Sequence, residues 1–189
     1  MHQRTYHIVY TGIFAVLLAI CSWIALPTMI PFTLQTFGVF LTLLLLGGRQ
    51  GTIAIAIYLL LGIVGIPVFS NFAAGAGYLL GNTGGYAMGF LLIGLIYRLF
   101  EKISGQKTIF KSISLLLGLI ICYAFGTLWF LLISMNAGSS YSFMTVLSMC
   151  VLPFILPDLC KLFFAFALSR RLKPLLKTDD RKSMHFKKI

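Results

Sequence analysis

The first apolar run of the chain, residues 8–26, carries no Asp, Glu, Lys or Arg over nineteen positions. As helix, that is enough to cross the roughly 30 Å hydrocarbon core of a bilayer. Comparable runs follow, from Pro31 to about 46, 52 to about 66, about 84–100, about 113–135, and from Pro157 onward. Charge is correspondingly scarce: 10% of the 189 residues are charged and 59% are hydrophobic, whereas soluble domains are about a quarter charged. The sequence therefore predicts an all-α integral membrane protein with six transmembrane helices. It reads as one domain over residues 1–189, ending in a basic tail from about 170 to 189. The first run is long and offers no small-x-small pair near Ala25, so it reads as a helix rather than a cleaved leader. Cys21, Cys122, Cys150 and Cys160 lie in apolar segments without metal-type spacing and read as small hydrophobes; no metal site is implied.

The breaks between runs differ in kind. Residues 27–31 form a short uncharged turn between two prolines, with Pro31 suited to the first turn of the second helix. Gly47 to Gly51, GGRQG, interrupts the apolar pattern, and residues 67–83 form a long uncharged loop rich in glycine and aromatics. Residues 101–112 are polar and basic, and a short apolar piece at 143–152 precedes the last helix. Arg4 lies at the N-terminus, Arg49 in the second connection, and Arg98, Lys102, Lys107 and Lys111 around the fourth; eight more cations fall in the tail. The first, third and fifth connections carry none. An even number of crossings with this asymmetry predicts both termini on the cytoplasmic side. The net charge of +11 thus reads as a membrane-facing surface rather than a nucleic-acid footprint. Pro27, Pro31, Pro67, Pro153 and Pro157 fall on the other side. Non-helical backbone at membrane depth needs protein or a water-filled cavity to satisfy it, so a pocket opening outward is expected there.

Two charges break the pattern. Asp158 and Lys161 stand three residues apart within the apolar stretch PFILPDLCK, where each ionisable group costs roughly 2.5–3.5 kcal/mol to insert and so marks a site or a pair. Pro157 predicts that a helix restarts there, placing Asp158 in a first turn where the macrodipole favours an anion. Spacing i, i+3 puts both side chains on one face. They either serve a ligand or merely neutralise each other. Gln35, one turn into the second helix, also needs a partner, in a ligand or in a neighbouring helix. Asn82 reads as a turn or cap residue or as a donor, with Thr83 and Tyr86 beside it as polar rim and aromatic wall. Asn71, Phe72 and Tyr78 are positioned to form a lid. SGQKT at 104–108 lacks the leading glycine of a phosphate loop. A second intramembrane carboxylate, an intramembrane histidine and a GxSxG nucleophile are all absent from the sequence, so no enzyme chemistry is expected.

PFTLQTFGVFL at 31–41, GIPVF at 65–69, GNTGGY at 81–86 and LPFILPDLCK at 152–161 occur in the order and spacing of BioY, and the chain resembles that family along nearly its whole length. BioY is the biotin-binding S component of energy-coupling factor (ECF) transporters. The resemblance implies an S-component bundle in the cytoplasmic membrane that captures extracellular biotin without any cofactor. Delivery would require a T component and two ATPase subunits. It implies a ligand site of Asp158, Lys161, Asn82, Gln35, Tyr86 and Thr83. A small-xxx-small motif, Ala15 and Ala19, would pack against the T component; on spacing alone it serves equally as a packing seam within the bundle. Where the family often has Gly-Pro, this chain has Gly81-Asn82. Biotin's ureido ring offers two N–H donors and a carbonyl, which Asp158 and the Lys161–Asn82 donors could meet; alternatively Lys161 holds the carboxylate tail. A different class of protein, a stand-alone ion- or proton-coupled transporter using Asp158, fits the lone intramembrane acid, but the sequence shows no inverted repeat.

Overall fold

The computed structural model describes residues 2–26, 32–104, 107–138 and 141–185. Most of the chain is helix: α1 (His2–Trp23), α2 (Gln35–Val64), α4 (Gly84–Ser104), α5 (Thr108–Asn136) and α7 (Leu152–His185) are long, while α3 (Ala76–Leu80) and α6 (Phe143–Cys150) are short. Among the described residues, four helical stretches, in α1, α2, α5 and α6–α7, are apolar and long enough to cross a membrane.

The α2 helix is two antiparallel arms rather than one straight rod. Gly47 has φ 79° and ψ 173°, a left-handed, extended conformation that a side chain would resist. Beyond it the chain doubles back: a Cβ on Gly51 would lie 3.1 Å from the Cα of Leu43, whereas residues eight apart in a straight helix are about 12 Å apart. Arms 35–46 and 48–64 therefore run antiparallel, and with α1, α4, α5 and α7 they make six long helices. The expected GGRQG break shrinks to a single residue. Glu101 of α4 accepts the Gly48 backbone N–H at 2.7 Å, capping the second arm where its first N–H groups lack helical partners. That arm ends at Gly65 (φ 106°), where Gly65 N–H bonds Gly62 O and Ile66 N–H bonds Leu61 O, the paired bonds of a Schellman cap.

Packing centres on α2, which meets α1, α4 and α7, while α4 lies along α5. The Tyr6 hydroxyl donates to Leu176 O at 2.8 Å, so the start of α1 and the far part of α7 share one end of the bundle. Arg49, Lys111 and Lys173 gather at that same end around one cavity. Charges from separate connections thus collect at one pole, as their distribution along the chain anticipates.

Several expectations are corrected. The helix bearing Asp158 begins at Leu152, not Pro157; Pro153 occupies its first turn, where a missing N–H costs nothing. Asp158 accordingly lies in the second turn, beyond the reach of most of the dipole effect, and side chains must hold its charge. The second helix begins at Gln35, and Phe32–Thr33 instead pairs antiparallel with Ala25–Leu26; Pro27 and Pro31 lie outside the described residues. The fifth helix begins at Thr108, which shortens the preceding connection. Cys160 is exposed rather than buried.

Ala15 and Ala19 are buried to 1% and 4% exposure within the main core, on a helix that packs along α2. Small residues here let two helices of one chain approach closely, so in this structure the pair packs α1 within the bundle and is not exposed for the expected T-component contact. Gly12, by contrast, has open space where a side chain would stand. Ala15→Leu is expected to cost about 1–3 kcal/mol by overpacking and to lower the thermal midpoint in detergent, while Gly12→Leu leaves it unchanged. Equal midpoints for both variants would restore Ala15 to the surface.

Candidate functional site

At the pole opposite the basic cluster, α2, α3, α4, α5, α6 and α7 surround a cavity of about 70 Å³, or about 630 Å³ of empty space counted with its open mouth. The cavity proper has several times the roughly 10–15 Å³ that one water needs. Asp158, Lys161, Gln35, Thr83 and Tyr86 all line it, so five of the six expected ligand residues converge.

Asp158 and Lys161 are 3% and 7% exposed. Lys161 Nζ donates to Asp158 Oδ1 at 2.8 Å, and Tyr123 Oη of α5 donates to Asp158 Oδ2 at 2.6 Å. The opposite face of α7 is apolar and exposed, with Phe163 and Phe164 at 69% and 61%. One helix thus turns its charges inward and its aromatics toward lipid. The Lys161 ammonium also lies 4.2 Å from the ring centroid of Phe32, a favourable cation–π geometry, and Phe32 stacks on Phe154 at 5.7 Å. Each carboxylate oxygen has two lone pairs and the ammonium three protons. Both groups therefore keep hydrogen-bonding capacity toward the cavity after pairing with each other.

Gln35 is held at both ends of its amide. Its Nε2 donates to Tyr58 Oη at 2.6 Å, and its Oε1 accepts from Thr33 Oγ1 at 3.0 Å. This ties the two arms of α2 to the short hairpin. A second N–H and a second lone pair remain for a guest. Tyr86 is aimed by close packing of α4 on α5: a Cβ on Gly126 would stand 2.2 Å from its ring, and its hydroxyl meets Thr127 Oγ1 at 3.2 Å. Trp129 Nε1 donates to Gly81 O at 3.0 Å, anchoring the turn ahead of α4.

Asn82 is not brought into this group. It is exposed in the turn between α3 and α4 and does not line the cavity. Gly84 packs against the Leu79 carbonyl, leaving no space even for a Cβ, and residue 82 lies on the outer side of this tight turn. Of the expected lid, only Tyr78 reaches the cavity, together with Ser70, whose hydroxyl it meets at 2.7 Å. Asn71 and Phe72 are exposed, and Phe72 stacks on Trp23 at 5.2 Å. Sequence reasoning passed over Tyr123, Phe32 and Tyr58. Tyr123 and Tyr58 carried a signal, since a hydroxyl midway along an apolar membrane helix needs a partner; Phe32 gave none.

A six-helix bundle with a buried acid–base pair on one wall of a polar cavity defines a small-molecule-binding membrane protein. Sequence and fold comparison specify it further. The chain matches the BioY family over residues 1–178 and belongs to that family. It is 39% identical over 171 residues to the biotin transporter BioY of Thermotoga maritima, covering 89% of this chain and 96% of that protein. To the probable biotin transporter BioY of Pyrococcus horikoshii it is 36% identical, covering 76% and 81%. The crystal structure of the S-component for biotin from an ECF-type ABC transporter superposes with a TM-score of 0.78 at 27% identity, covering 92% of this chain and 93% of that one.

Removing the Tyr123 hydroxyl leaves one carboxylate oxygen without its protein donor. A hydrogen bond to a charged group is worth about 1.5–3 kcal/mol, so Tyr123→Phe is expected to destabilise the unliganded protein by that amount in reversible unfolding from micelles. A loss below about 0.5 kcal/mol would mean that solvent in the cavity replaces the hydroxyl.

Proposed function

We propose that this chain is the substrate-capture subunit of a vitamin uptake system: it binds biotin from outside the cell and delivers it through a T component energised by two ATPase subunits. The observation that carries this reading is the Asp158–Lys161 pair standing on the wall of a cavity rather than sealed in the core, in a chain of the BioY family. The ureido edge of biotin presents two donors flanking an acceptor. A carboxylate beside an ammonium, at 2.8 Å from one another, is its complement: Asp158 accepts from ureido N–H and Lys161 donates to the carbonyl, with bonds of about 1.5–3 kcal/mol each. Gln35 and Thr83 supply further polar contacts, while Tyr86 and Phe90 form walls for the apolar thiolane ring. Asn82 has no part in this set. The ion pair also disfavours the coupled-transporter alternative, since a carried proton would have to displace a counter-charge already in place.

At about 70 Å³, the cavity lies below the roughly 300 Å³ at which small-molecule sites begin. Binding therefore requires opening. The segment bearing Ser70 and Tyr78 borders the space and is not part of a long helix; its outward movement is the step that admits the ligand. The positive-inside rule supports a cytoplasmic side for the pole of Arg49, Lys111 and Lys173 and for both termini, and on that reading the cavity opens outward.

Asp158→Asn is expected to weaken biotin binding at least tenfold in micelles while the helical circular dichroism is retained. Unchanged affinity in the folded variant would reduce Asp158 to an internal counter-ion. Biotin should bind the purified chain with no ion gradient present. The methyl ester of biotin separates the two orientations. If the pair reads the ureido edge, the ester binds within roughly threefold of the acid; if Lys161 holds the tail, the lost charge weakens it by more than about tenfold.

A further inference from the structure

Tyr58 stands behind the wall of the ligand cavity. It is 1% exposed, within the main core, and does not line the space that Gln35 borders, so contact with a guest there falls to Gln35. Two anchors fix that side chain. Gln35 Nε2 donates to Tyr58 Oη at 2.6 Å, and Thr33 Oγ1, which donates to Gln35 Oε1 at 3.0 Å, also accepts the Gln35 backbone N–H at 3.2 Å. Tyr58 is itself held. Phe69 meets its ring edge-on, with centroids 5.7 Å apart and planes at 87°; Phe69 is fully buried and lies so close to Gly62 that a Cβ there would not fit. Phe69 also stacks on Tyr78, which lines the cavity, at 4.5 Å. The hydroxyl that holds Gln35 is therefore set by packing along the second arm of α2, twenty-three residues further along the chain.

A long side chain that a ligand must order gives up rotamer freedom on binding, and a group already held in its bound geometry avoids that cost. The Gln35 amide has given it up on folding. One N–H and one lone pair remain after its two anchors are counted, and the residue borders the cavity. We infer that Tyr58 is a positioning residue for ligand capture: it acts on the guest only through Gln35, whose amide it holds where a polar edge of the ligand can meet it. The inference rests on the reading of biotin as that ligand. Without the hydroxyl, the Gln35 amide keeps only its anchor on Thr33, and its nitrogen end is free to swing away from the guest.

Biotin affinity of the full chain in micelles, measured by titration calorimetry for wild type, Tyr58→Phe, Gln35→Met and the double variant, tests this. Tyr58→Phe keeps the ring and its contact with Phe69, and is expected to weaken binding about fivefold, in line with one neutral hydrogen bond. Gln35→Met, close to the same shape without the amide, is expected to cost at least as much. Adding Tyr58→Phe to Gln35→Met is expected to change affinity no further, because a residue that acts through another loses its effect when the other is gone. The double variant replaces both partners by apolar groups of similar shape, which is nearly neutral for folding, so the comparison is made on folded protein. Equal losses from Tyr58→Phe in the two backgrounds would make Tyr58 a general support of the fold and overturn the assignment, as would unchanged affinity in either single variant. A wild-type chain that binds no biotin would end the reading of the ligand itself; binding that depends on Asp158 but not on Tyr58 would overturn this inference alone.

Discussion

An acid and a base one helical turn apart on α7 have to be satisfied inside the protein, because lipid supplies neither water nor counter-ions. Taking both out of water costs several kcal/mol per ion even after relaxation, and their attraction offsets this only when geometry is good and the remaining lone pairs and protons find partners. The 2.8 Å contact between them answers the first condition. The second draws in other helices: α5 must approach closely enough for Tyr123 to reach the carboxylate, and the hairpin before α2 must carry Phe32 over the ammonium. What is left unsatisfied faces the cavity. The same requirement that organises the wall of the bundle therefore leaves it ready to bind a polar guest.

The helical hairpin of α2 makes this arrangement reachable. Its turn at Gly47 returns the chain so that Gln35 and Tyr58, twenty-three residues apart, meet at the cavity end, while Gly48 and Glu101 close the other end. Gly48 itself has no room for a side chain, since a Cβ would stand 2.5 Å from the Cα of Arg98. One strand of connectivity thus sets the distance between the two poles, about 18 Å along a twelve-residue arm. The poles differ in electrostatics. The ligand pole holds a neutral ion pair within aromatic and hydroxyl groups, suited to an uncharged polar ring system. The other gathers Arg49, Lys111 and Lys173 around Glu101.

Membership of the BioY family and likeness to a biotin S-component fit this division, and the particulars of this chain refine it. Helix α1 uses its small residues to pack on α2 and presents Val9, Ile13, Val16 and Ile20 outward instead. The turn before α4 keeps Asn82 out of the cavity, while Tyr123, from a helix without any recognisable motif, supplies the direct support of the carboxylate.

Much of this was readable from the residues themselves. The six long helices, the basic pole, the break near Gly47 and the shared face of Asp158 and Lys161 follow from run length, charge placement and helical spacing, all of which are local. The start of α7 was misread because two prolines four apart were weighed as equal breakers, although the first-turn position of Pro153 lets the second be carried within the helix. The partners of Asp158 and Gln35, the burial of Ala15 and Ala19, the outward turn of Asn82 and the gathering of Arg49, Lys111 and Lys173 were decided by tertiary structure alone. Each depends on which helix lies against which face, and that is set by packing between residues tens of positions apart, where a single chain's spacing carries no record.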